Sequence, residues 1–409
     1  MIRFIHCADL HLGRSFKTAL DMNEIFTEEA VESAYTSFKA IVQEAIKRKT
    51  DFIIVSGDIY DQKDRAIRAQ WFFKKQAELL KDNNIPVFVI HGNHDPVFGN
   101  KEMVEMPDNV HIFSTEVSHT VCHTAGGEKA VIYGFSYPQA AYTENPLPYY
   151  NKIEDENAYH IGMLHGQEQG QEGHDPYAPF TLKELEEKSF NYWALGHVHK
   201  HQILKKDPAV VYPGNIQGAH RKEEGPKGAM YVELSKQKTH LEFIDTAPVR
   251  WENIRVPIDG LRNIDHLTEA INNQIDRLPD HKKYVLVLQI TGAGDLHDQL
   301  SDKKSREELI AFLNEEYSSE KTWVDRVKVD SAPALKKDQW KTQDNLLGDV
   351  VRTGDSLRND GEWTNILSPL TDHRKIRPFI DEITGELEEE IIEKAETLIL
   401  SALLEEREY

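Results

Sequence analysis

Five short stretches in the first half of the chain combine carboxylates, a carboxamide and imidazoles at spacings suited to holding metal ions. They are Asp9 and His11 in CADLHLG, Asp58 in SGDIYD, Asn93 and His94 in HGNHD, His165 in GMLHG, and His197 and His199 in GHVH. Residues two apart on an extended strand project to the same side, so Asp9 with His11, and His197 with His199, can each present a pair to one point. Asp9, His11, Asp58, Asn93, His165, His197 and His199 offer only oxygen and nitrogen, a mixture that zinc or manganese accepts, with no thiolate to select a softer ion. Seven donors exceed the need of one four-coordinate ion. They suit two ions roughly 3.5–4 Å apart that share a bridging carboxylate, the arrangement that clamps a phosphate during in-line displacement.

Other polar residues near these motifs have plainer readings. His6 lies on the opposite parity from Asp9 and His11 and reads as a packed or hydrogen-bonded histidine. His201 has the right parity but no role in the set. His160 and His174 compete with His165, which is preferred because it directly follows IGML. Asp95 is suited to orienting its loop through backbone amides, and Arg14 and Lys17 read as ordinary surface residues.

The elements that must position these groups are legible around them. IRFIHCADL, TDFIIVSGD, IPVFVIHGNHD, AYHIGMLHG and YWALGHVH are short apolar runs that end at the polar motifs beside small residues, and AVIYGF and PAVVYPG are similar runs. Between them lie helices. From Thr27, apolar residues recur at three and four through Val31, Ala34, Tyr35, Phe38, Ile41, Val42, Ala45 and Ile46. AIRAQWFFKKQAELLKDNN predicts a second helix before Pro86, its Trp71, Phe72 and Phe73 being either core or a surface for a second copy. Thr181 and Glu184 fit a capping box. The order predicts an α/β fold of sandwiched or layered sheets over residues 1–250. Residues 251–335 read as strand, helix, strand, helix, strand, a small α/β domain. Residues 336–409 read as helices, the last carrying an apolar stripe at Ile391, Ile392, Ala395, Leu398, Ile399, Ala402 and Leu403 that either packs on its own domain or docks another protein.

Composition narrows the class. At 409 residues two or three domains are expected. Hydrophobic residues make up 39% and charged residues 29%, which describes a globular protein, and no apolar run approaches the ~20 residues needed to cross a bilayer. MIRFIHCADL lacks the pattern of a secretory signal, so a cytoplasmic location is expected, with Cys7 and Cys122 as reduced thiols. The formal net charge of −21 argues against a protein that grips nucleic acid unaided. The substrate is not a long polyanion, or a basic patch is local, or a partner and bound cations do the gripping.

The ordered series D-x-H, G-D-x-x-D, G-N-H-D, a strand-end His and G-H-x-H resembles the calcineurin-like metallophosphoesterases across roughly residues 1–220. The resemblance implies a β-sandwich flanked by helices, followed here by a small α/β cap and C-terminal helices. It further implies one ion held by Asp9, His11 and His199, another by Asn93, His165 and His197, and Asp58 as the bridge. His94 would face the phosphate as proton donor or transition-state stabiliser, with Asp61 as its carboxylate partner favouring the imidazolium. FIHCADLHLG, GDIYD and the YPGN turn, with the trailing region, are similar to the SbcD-type nuclease subunits of bacteria and more closely to the YhaO group. That likeness implies DNA as substrate, manganese as the metal pair, a homodimer, and an SMC-like coiled-coil ATPase of the SbcC type as partner, docked by the C-terminal helices. Asn215 stands in YPGN where Ser is expected, a change that bears on how DNA meets the site. Beside the nuclease subunit stand a phosphodiesterase for a small nucleotide and an assembly subunit acting chiefly through the ATPase.

Overall fold

A computed structural model describes the chain except residues 17–21, 23, 62–65, 98–103, 171–176, 317–320, 335–336, 361–365, 367–384 and 406–409. Lys17 and His174 therefore lie outside the described residues. The chain divides into two compact units, Met1–Asn253 with Pro279–Val287 and Tyr317–Asp325, and Ile254–Leu278 with Leu288–Glu316 and Arg326–Tyr409.

The first unit is built on two six-stranded mixed sheets. Its strands are β1 (Ile2–Cys7), β2 (Phe52–Ser56), β3 (Val87–Ile90), β4 (Val110–Ile112), β5 (Ser118–His123), β6 (Lys129–Gly134), β7 (Tyr159–His165), β8 (Tyr192–Gly196), β9 (Gln202–Lys206), β10 (Ala209–Tyr212), β11 (Gly228–Leu234) and β12 (Thr239–Asp245). One sheet runs β12-β11-β1-β2-β3-β4 and the other β5-β6-β7-β8-β10-β9. Alternation along β1 explains the layering. Ile2 and Phe4 join Phe52, Ile54, Phe88 and Ile90 against Ile132, Ile161, Met163 and Ala194 of the second sheet, whereas Ile5 and Cys7 turn to the other face. There they meet α1 (Glu24–Arg48) and α2 (Ile67–Asp82), which bring Phe38, Ile41, Val42, Phe73 and Leu80. The outer face of the second sheet packs Tyr133, Leu164, Trp193 and Tyr212 with Leu185 of α3 (Leu182–Glu187). Thr181 caps α3 through the reciprocal bonds expected of it with Glu184.

Because β1, β2 and β3 are parallel, as are β6, β7 and β8, their C-terminal ends lie at one end of each sheet. Those ends carry the polar motifs. Edge strands are the weak point of sequence reading: β5 and β12 lack the pure apolar run, and β12 alternates exposed and half-buried positions.

A three-stranded sheet is formed by Val249–Pro257, Lys283–Thr291 and Thr322–Val329 in that order. Helix Ile264–Ile275 follows the first of these and starts on Asn263, whose side chain accepts the His266 amide. In the second unit, helices Leu346–Asp360 and Gly385–Glu405 meet through Leu347, Val351 and Leu400. The apolar stripe expected on the last helix is divided. Ile392 is buried, but Leu398 is 74% and Ile399 48% exposed. The inward row instead uses Glu396, which accepts from Lys337 Nζ at 3.0 Å and Arg358 Nη2 at 2.7 Å. No helix among the described residues is long and apolar enough to cross a membrane.

Candidate metal centre

Strands β1 and β2 end level with one another, and their loops run on together. The Asp9 amide donates to the Gly57 carbonyl at 3.0 Å, His11 to Asp58 at 3.0 Å and Leu12 to Ile59 at 2.9 Å. The loops turn sharply enough that Asp9, His11 and Asp58 adopt φ of 51°, 44° and 52°, and His197, after β8, a φ of 96°. Non-glycine residues adopt this region seldom. The Asp9 carboxylate accepts the His197 amide at 3.1 Å through both oxygens, tying the end of β8 to the end of β1.

The side chains so placed form two groups. His11 Nε2 lies 3.1 Å from His199 Nε2, with Asp9 in the same cluster. Asn93 Oδ1 lies 3.0 Å from His165 Nε2 and 3.2 Å from His197 Nδ1. Asp58 reaches both: its Oδ2 is 3.5 Å from His165 Nε2 and 3.8 Å from His11 Nε2, while Oδ1 accepts the His94 amide at 2.9 Å. Asp9 also approaches Asp58 and His165. All seven residues singled out from the sequence as candidate ligands are thus brought together. Glycine makes the packing possible, since a Cβ at Gly92 would overlap Asp58 Oδ1 and His165 Nε2, and one at Gly57 would overlap the His165 ring.

The donor set fits a pair of divalent cations. Asp9 and Asp58 are each 1% exposed, and two buried carboxylates this close call for compensating positive charge. Burial raises the Asp9 carboxyl, and the neighbouring Asp58 charge adds to it against the opposing histidines. Burial works the same way on Asp58, but the charge and hydrogen bond of His165 outweigh it and hold that carboxyl well below the usual range. For His165, burial disfavours the cation, yet Asp58 and Asp9 raise it to about 9. Without metal, a proton on His165 answers the carboxylates.

His94 stands at the edge of this cluster with its side chain 41% exposed and Nδ1 3.6 Å from Asp61 Oδ1. The same oxygen lies 3.5 Å from His11 Nδ1, so Asp61 serves a ligand histidine as well as His94. Burial raises the Asp61 carboxyl, but His11, His94 and Arg14 hold it below the ordinary range.

The remaining candidates resolve simply. Asp95 accepts the amides of Ile59 at 2.8 Å and Gly92 at 2.8 Å, bracing the two loops as expected. His6 is buried between Tyr192 Oη at 3.0 Å and the Leu195 carbonyl at 3.1 Å. His201 bonds to the Tyr212 carbonyl, and His160 to Tyr133. Asn215 is fully buried with Nδ2 donating to the Gln217 carbonyl, so the replacement at YPGN acts on the turn and offers no side chain to a substrate. Arg14 is not free on the surface: it pairs with Glu223 at 3.1 Å.

Glu223 is the residue sequence reading missed. It is 6% exposed and sits 2.6 Å from His199 Nδ1. In HRKEEGPK it looks like a solvated turn, and no local signal separates it from Glu224. Tyr137 was missed too; its hydroxyl donates to the His165 carbonyl at 2.6 Å.

Comparison with known proteins identifies the family. The model of the calcineurin-like phosphoesterases matches residues 2–201, and that of the metallophosphoesterase YhaO middle domain matches residues 251–332. An uncharacterized metallophosphoesterase, YhaO of Bacillus subtilis, is 35% identical over 407 residues, covering 97% of each chain. DNA double-strand break repair protein Mre11 of Methanocaldococcus jannaschii is 26% identical over 66% of this chain and 72% of its own. The Mre11 of Sulfolobus acidocaldarius is 23% identical over 94% and 99%. With the ligand motifs converging at the strand ends and a relative matching along nearly its whole length, this chain belongs to the calcineurin-like phosphoesterases, a family that hydrolyses phosphoesters through a dinuclear divalent metal centre.

Proposed function

We propose that the protein is the nuclease subunit of an SbcCD-like DNA repair complex, cleaving phosphodiesters with two manganese ions. The observation that carries this reading is the position of Asp58, whose one oxygen reaches a histidine of each ligand group. Asp9, His11 and His199 would hold one ion, Asn93, His165 and His197 the other, with Asp58 shared. Two such ions supply Lewis acidity toward phosphate oxygens and lower the pKa of water toward neutrality. His94 keeps one ring nitrogen on Asp61 and leaves the other for the leaving oxygen, to which it delivers a proton. Asp61 holds that ring.

Similarity to archaeal proteins named for double-strand break repair supports DNA over a small nucleotide as substrate. We assign the phosphoesterase to residues 1–250, a cap to 251–335 and partner docking to 336–409. The exposed Leu398 and Ile399 support a docking role for the last helix, toward the coiled coil of an SMC-like ATPase. A homodimer of this subunit would place two such helices on one assembly, and Trp71, 49% exposed on α2, is a candidate contact between copies.

The test is manganese-dependent degradation of labelled linear duplex and single-stranded DNA, beside a chromogenic phosphodiester. His94→Ala should bind metal normally and lose about 10²–10⁴-fold in cleavage of both. Turnover of the small diester alone, with and without the ATPase, would move the reading to a nucleotide phosphodiesterase.

A further inference from the structure

His199 is gripped from outside the centre by a buried carboxylate. Glu223 Oε1 is 2.6 Å from His199 Nδ1, while its Oε2 accepts the Ala219 amide at 2.8 Å. Arg14, three residues beyond His11, donates to Glu223 at 3.1 Å, and His220 Nε2 lies 3.4 Å from the same carboxylate. The main chain of His199 is held as well, its carbonyl accepting from the buried Lys227 Nζ at 2.8 Å. On the other side of the ring, His199 Nε2 faces His11 Nε2 at 3.1 Å. That contact is an N–H···N hydrogen bond when one ring carries its proton on Nε2, and with both lone pairs turned inward the same two nitrogens would hold a cation between them.

A neutral imidazole can present only one lone pair, and the partner of its other nitrogen decides which. A carboxylate on Nδ1 keeps the proton there and leaves Nε2 bare. Two other inward-facing imidazoles have weaker versions of this arrangement: His165 Nδ1 meets the Ser56 carbonyl at 2.9 Å, and His11 Nδ1 lies 3.5 Å from Asp61. Of His11, His165 and His199, His199 has the shortest contact from its outer nitrogen, and its partner is a buried carboxylate.

We propose that Glu223 is a positioning residue of the metal centre. It fixes His199 in the Nδ1–H tautomer and, through Arg14, ties the loop after β8 to the loop after β1, so that the ion shared by Asp9, His11 and His199 binds tightly. This rests on the two-metal reading above. The segment His220–Lys227 thereby acts as a clamp on one ligand, its acid holding the ring and its lysine the backbone.

The experiment is a two-site manganese titration of the metal-free full chain, by calorimetry and by electron paramagnetic resonance of free Mn²⁺, for wild type, Glu223→Gln, Glu223→Ala and the exposed neighbour Glu224→Gln. Glu223→Gln should weaken one ion about 10–100-fold, leave the other within a factor of two or so, and unfold at nearly the wild-type temperature. Glu224→Gln should bind as wild type. Equal affinities for both ions in Glu223→Gln and wild type, or an equal loss at both sites, would overturn the proposal. Should Glu223→Ala fail to fold, the glutamine variant decides alone. Wild-type protein that binds fewer than two ions would instead overturn the two-metal reading, so the two failures are distinct.

Discussion

At the scale of single residues, the centre is made of side chains whose chemistry the sequence displays on backbone it does not. D-x-H and G-H-x-H suggest alternating side chains on regular strands, but Asp9, His11, Asp58 and His197 all have positive φ, at about 1–3 kcal/mol each for a conformation so sparsely used. Parity on a strand is therefore the wrong reason for a correct grouping. The ligands converge because two loops bond to each other and to Asp95, contacts between residues more than 30 apart. Glu223 escaped notice for the same reason, since its partner is 24 residues away. His6 shows what a buried histidine does when it is no ligand. Burial lowers it from 6.5 to about 3, so the native state keeps it neutral while the unfolded chain takes up a proton. Its contribution to stability is complete above pH 6.5 and is lost as pH falls toward 3, by up to about 1.4 kcal/mol per pH unit. In urea unfolding of the metal-free protein, the stability gap between wild type and His6→Gln should narrow from pH 7 to pH 5. A gap independent of pH would contradict this account of His6.

At the scale of elements, the parallel strands did what their apolar runs foretold, bringing five motifs to neighbouring strand ends. Legibility failed where one face of an element is exposed. Strand β12 has no long apolar run, and the last helix was read from its apolar residues alone. Its buried row passes through Ile392, Glu396 and Leu400, because Lys337 and Arg358 satisfy the carboxylate and make an acidic residue acceptable inside. Leu398 and Ile399 are left facing outward, while Leu403 packs beside Leu400. Replacing both outward residues with Asp should leave hydrolysis of a small diester within a factor of two or so and weaken capture of the proposed coiled-coil ATPase partner by at least tenfold, measured by surface-immobilised binding. Undiminished binding would make that face irrelevant to docking.

At the scale of the molecule, a net charge of −21 looks hostile to a polyanion until the centre is taken into account. Its acidic ligands are buried, so bound cations would change the sign of the field where a phosphate must approach. That places the whole functional account on one structural claim, that Asp58 is shared by two ions. Metal content of the purified chain after manganese loading and desalting, for wild type and Asp58→Ala, tests it most directly. The account predicts two ions per wild-type chain and loss of at least one, with the other weakened, in the variant. A single ion in wild type, or two ions retained by Asp58→Ala, would contradict it.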